Sequence, residues 1–96
     1  MTIYISGKIT GDPNYKEKFE QVENTLEELN WVHRIVNPAK LDLIDGGTWE
    51  DYMKRDIPLL TICHAIFMMK GWRRSKGARL ERYIAKKLGL LIIYER

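Results

Sequence analysis

The chain has 96 residues, 45% hydrophobic and 30% charged, enough for one globular domain spanning residues 1–96 and too apolar to stay disordered. No apolar run approaches the roughly 20 residues of a membrane span, the opening MTIYISGKIT has no signal-peptide core, and a lone Cys63 excludes an internal disulfide, so a cytoplasmic protein is expected. A net charge of +3 is too small to argue for duplex DNA, and His33, His64 and Cys63 lack metal-ligand spacing, so neither metal nor cofactor is expected.

TIYIS reads as a buried strand ending at Gly7, followed by a loop through Gly11. Asp12 suits a helix N-cap and Pro13 the first helical position, with Tyr15, Phe19, Val22, Leu26 and Leu29 spaced down one apolar face. Ile35 and Val36 suggest a second strand, ended by Asn37 and Pro38. After a loop with Gly46 and Gly47, Thr48 and Asp51 form a capping box for a second helix, in which Pro58 predicts a kink or a break and restart. AIFMM is continuously apolar, as a central parallel strand covered on both faces is. Ser75 then caps a third helix running to about Leu88, Gly89 closes it, and LLIIY makes a last strand.

The β-α-β-α-β-α-β order predicts an α/β fold of flavodoxin-like or Rossmann-like three-layer type. It has a four- to five-stranded, mainly parallel sheet, helices on both faces, and a ligand site beyond the carboxyl ends of the strands. Within it, two acids break the amphipathic pattern. Asp56 shares a face with Trp49, Met53 and Leu60, and Glu81 shares one with Ala78, Ala85 and Leu88. A buried carboxylate is costly unless it is partnered. The structural alternative is an ion pair for each, Asp56 with Arg55 or Lys54 and Glu81 with Arg82 or Arg79. Together, however, two carboxylates supply the nucleophile and the acid that cleavage of a glycosidic bond requires.

Tyr4 is by default a core aromatic, and beside a carboxylate it holds that group in place. The loop Gly7-Lys8-Ile9-Thr10-Gly11 lets backbone approach a ligand and offers an ammonium and a hydroxyl, without being a Walker A motif. Ser75, followed by Lys76 and Gly77, is either an anion site at a helix N-terminus or a plain cap. Between residues 70 and 87 lie Lys70, Arg73, Arg74, Lys76, Arg79, Arg82, Lys86 and Lys87 with Glu81 as the only acid, a solvated helix face or an anion-binding one.

The blocks Tyr4 to Gly11, Val36-Asn37-Pro38-Ala39, Trp49 to Asp56 and Gly71 to Glu81 resemble the DUF4406 family, small proteins common in phages and prophages. That family is similar in turn to the nucleoside 2-deoxyribosyltransferases and the 2'-deoxynucleoside 5'-monophosphate N-hydrolases. The resemblance implies that Glu81 attacks C1' of the sugar to form a covalent glycosyl intermediate, that Asp56 helps protonate the departing base, and that Tyr4 orients the nucleophile. It implies further that Gly7, Lys8, Ile9, Thr10 and Gly11, with Ser75 and Gly77, bind the substrate, Lys8, Thr10 and Ser75 facing a 5'-phosphate. Lys8 and Thr10 replace the serine and arginine of the hydrolases. His64 stands where relatives usually carry an aspartate, and a structural role is expected for it. The chain stops one strand later, short of the transferases' C-terminal residues, which favours a hydrolase or a binding site.

The expected activity is therefore hydrolysis or transfer at the N-glycosidic bond of a nucleoside or nucleotide, and the alternative is a catalytically silent nucleotide-binding module. A nucleic-acid polymer is not the expected partner, because binding a single strand through the basic third helix with Trp72 needs a stacking platform of several spaced aromatics. Trp49, Tyr52 and Met53 suggest an apolar face for a homodimer or a higher homo-oligomer.

Overall fold

The computed structural model describes residues 1–96. Its elements are β1 (Thr2–Ser6), α1 (Tyr15–Glu27), β2 (Arg34–Val36), α2 (Trp49–Thr61), β3 (Ala65–Met68), α3 (Lys76–Lys87) and β4 (Leu91–Tyr94), with 3-10 turns at Pro38–Lys40 and Trp72–Arg74. All strand pairs are parallel, in the order β2-β1-β3-β4. The chain moves outward from β1 to β2, then crosses back over β1 to β3 and β4. Right-handed crossovers therefore put α1 on one face and α2 and α3 on the other. The sheet has four strands, and no helix is long and apolar enough to cross a membrane.

Strand alternation divides the core between the two faces. Ile3 and Ile5 pack with Phe19, Val22 and Leu26 of α1, whereas Tyr4, Ile66 and Met68 pack with Leu60, Ala78 and Ala85 beneath α2 and α3. The two alanines let α3 approach the sheet closely. One consequence decides the site: Tyr4 and Ser6, two residues apart, both face α3.

Three local expectations need correction. First, α1 starts at Tyr15 rather than Pro13, because Asp12 is used in a turn ahead of the helix. Its carboxylate accepts from the Asn14 amide at 2.9 Å and from Lys18 Nζ at 2.8 Å. Second, Leu29 lies beyond the helix end and is exposed. Third, α2 runs without a break through Pro58. Lys54 and Pro58 are both exposed, so the hydrogen bond that proline forfeits to the Lys54 carbonyl falls on the solvent side, where water replaces it. The Thr48–Asp51 capping box and the Ser75 cap form as expected.

Gly7 follows β1 where the chain turns over the sheet. A Cβ there would stand 2.7 Å from Met69 Sδ and 3.0 Å from Met69 Cβ. The Met69 thioether can rotate, but its Cβ cannot withdraw, since the Met69 amide donates to the Ser6 carbonyl at 2.9 Å. Gly7→Ala is therefore expected to lower unfolding free energy by about 1–3 kcal/mol, as overpacking does. Urea denaturation checks this, and an unchanged midpoint would show that the loop yields freely.

Candidate functional site

Glu81 sits mid-way along α3 with its side chain pointing at the sheet and is only 5% exposed. Neither Arg79 nor Arg82 pairs with it: Arg79 Nη1 donates to the Arg73 carbonyl, and Arg82 Nε to the Tyr94 hydroxyl. Two hydroxyls hold the carboxylate instead. Tyr4 donates to Oε2 at 2.5 Å and Ser6 Oγ donates to Oε1 at 2.7 Å. Ser6 escaped the sequence reading, although period-two alternation from Tyr4 puts it on the same face.

Asp56 is 4% exposed and projects from α2 toward the same region. Here the ion-pair alternative holds, since Arg55 Nε donates to Oδ1 at 2.8 Å. Arg55 is itself fixed, with Nη1 donating to the Asp42 carbonyl at 2.6 Å and its guanidinium 5.1 Å from the centre of the Tyr52 ring. The Tyr52 hydroxyl accepts from the Ile44 amide at 2.9 Å. Arg55 and Tyr52 thus pin the 41–47 loop over the acid.

Both carboxylates open on one cavity of about 1140 Å³ at the carboxyl end of the sheet. Its wall includes Gly7, Lys8, Ile9, Thr10 and Gly11 from the loop after β1, and Ser75, Lys76 and Gly77 from the start of α3. Every substrate-binding position expected from the sequence is therefore in the wall, and Tyr4 stands behind Glu81 in the core. Ser75 also works as a plain cap, Oγ accepting from the Ala78 amide at 3.1 Å. Trp49, Tyr52 and Met53, the residues expected to form a dimer face, are half-buried and line this cavity. Lys76 Nζ lies 3.9 Å from the centre of the Trp49 ring. Gly77 permits this packing, since a Cβ there would stand 3.1 Å from Met53 Cε.

His64 lies at the opposite, amino end of β3, where its Nδ1 accepts from the Thr2 amide at 3.0 Å. That bond ties the start of β1 to the start of β3 and keeps the imidazole away from the cavity. No group of three or more His, Cys, Asp and Glu side chains is placed to hold a metal ion.

Burial pushes the Glu81 carboxyl up to about 7; the hydroxyls of Tyr4 and Ser6 oppose the rise, and the neighbouring Asp56 charge adds to it. Burial, with the Glu81 and Asp56 charges, also drives the Tyr4 phenol well above its ordinary value, so it remains a donor at neutral pH. The folded state therefore binds the Glu81 proton more tightly than the unfolded chain, whose carboxyl titrates near 4.5. The resulting stability is fully present below that value and is lost as pH rises through about 7. Between about pH 5 and pH 8 this loss is on the order of 3 kcal/mol. Urea midpoints across that range should fall for the wild type and flatten for Glu81→Gln. An equal slope in both would place the titration elsewhere.

A three-layer parallel α/β domain of flavodoxin-like order, with a hydroxyl-held buried glutamate and a second acid on one cavity, is the class defined by this fold and site. The chain belongs to a family described as a domain of unknown function, DUF4406, whose model matches residues 1–94. No curated protein and no solved structure matches it.

Proposed function

We propose that the protein cleaves or transfers the N-glycosidic bond of a (deoxy)nucleoside or its 5'-monophosphate. The observation that carries this reading is the pair Glu81 and Asp56, buried from different helices yet opening on one cavity, with Tyr4 and Ser6 fixing both oxygens of Glu81. A carboxylate held by two short hydrogen bonds has lost its rotational freedom and is aimed before substrate arrives.

In this reading a Glu81 oxygen forms the bond to C1' as the C1'–N bond breaks. The released electron pair goes to the base, which takes a proton that Asp56 relays from solvent. Water, or a second base, then attacks C1', giving its proton back through Asp56, as the Glu81–C1' bond breaks and frees the Glu81 carboxylate. Tyr4 and Ser6 are positioning residues. Lys8, Thr10 and Ser75 face the 5'-phosphate, with Arg74 and Lys76 adding positive charge to the same wall.

The test is chromatographic detection of free base from ribo- and deoxyribonucleosides and their 5'-monophosphates, with wild type beside Glu81→Ala. Release by wild type alone supports the reading. Binding by calorimetry without release assigns the cavity instead to a silent nucleotide-binding module.

A further inference from the structure

The ion pairs of this protein are made by Lys18, Lys40 and Arg55, and no cation between residues 70 and 87 takes part in one. Glu81, the only acid in that segment, is buried and bound to hydroxyls. The outer face of α3 therefore carries uncompensated positive charge, which draws polyanions. It is also ordered. The guanidinium groups of Arg73 and Arg82 lie 5.2 Å and 5.0 Å from the centre of the Trp72 ring. Arg79 Nη1 donates to the Arg73 carbonyl at 3.0 Å, and the Tyr94 ring centre is 6.0 Å from that of Trp72. The fold thus brings Tyr94 of β4 beside Trp72, an aromatic from outside the basic segment, which alters the expectation against a nucleic-acid strand.

This strip is continuous with the cavity, because Arg74 and Lys76, neighbours of Arg73 in the chain, form part of its wall. We propose that the nucleotide entering the cavity is presented on a single-stranded oligonucleotide whose adjoining phosphates lie along Arg73, Arg79 and Arg82. This rests on the nucleotide reading above and names its substrate class. An acidic protein would match the charge, but a strand also accounts for the interleaved rings and for continuity with a nucleotide cavity.

Fluorescence anisotropy with a labelled mixed-sequence deoxyoligonucleotide of about ten nucleotides tests this. The strand is expected to bind at least about tenfold more tightly than the deoxynucleoside 5'-monophosphates, to weaken steeply with salt, and to be displaced by saturating monophosphate. Arg73→Gln with Arg79→Gln should cost the strand about tenfold and leave monophosphate binding unchanged. Equal affinity for strand and monophosphate, no effect of the double substitution, failure of monophosphate to compete, or equally tight binding of polyglutamate would each overturn it. Base release, measured in parallel, separates the two readings. Release without strand preference keeps the glycosidic reading and removes this one, whereas strand preference without release does the reverse.

Discussion

Glu81→Gln is expected to lower base release by at least about a thousandfold while leaving ligand affinity nearly unchanged. Glutamine has the same shape, still accepts the Tyr4 hydroxyl, and fits a site that holds the native side chain at 5% exposure. What it lacks is an anionic oxygen able to bond to C1'. A second substitution identifies the chemistry. Glu81→Ala leaves room for a small external nucleophile, and azide should partly restore base release and yield a glycosyl azide of inverted configuration. A variant that retained substantial turnover would remove Glu81 from the reaction.

Asp56→Asn should reduce release of ordinary purines by roughly 10²–10⁴-fold, the range for loss of a general acid. The loss should depend on the leaving group. The 7-methylguanine base of an N7-methylated guanosine nucleotide already carries the positive charge that protonation would supply and leaves C1' as the neutral base, so its cleavage should fall far less. Comparing the two substrates separates chemistry from structure, because Asp56 also anchors Arg55 and through it the 41–47 loop. Equal losses on both substrates would leave Asp56 as the partner of Arg55 and nothing more.

Much of this was written in local patterns. The four strands announce themselves as short β-branched or continuously apolar runs, and both acids stand out because helical spacing sets them among apolar residues. The partners of those acids were harder to read. Arg55, adjacent to Asp56, was the obvious candidate and does pair with it, but the hydroxyls on Glu81 come from the far end of the chain. The start of α1 and the passage through Pro58 depended on which groups reach solvent or a neighbouring side chain, which propensity alone does not encode. The Trp72–Tyr94 contact is likewise a product of β4 lying beside β3.

The hydrogen bonds to Glu81 span 77 residues from Tyr4 and 75 from Ser6. During synthesis the two hydroxyls leave the ribosome early and wait for nearly the whole chain before their carboxylate appears. Making contacts of such long range also carries the entropic cost of closing the loop between them. A chain cut short anywhere before α3 therefore lacks the carboxylate that Tyr4 and Ser6 hold, and with it the nucleophile of the proposed reaction. The same separation would make that activity a report on completeness: two fragments divided in the 41–47 loop would each lack part of the Glu81 site, and any base release on mixing them would measure their reassembly.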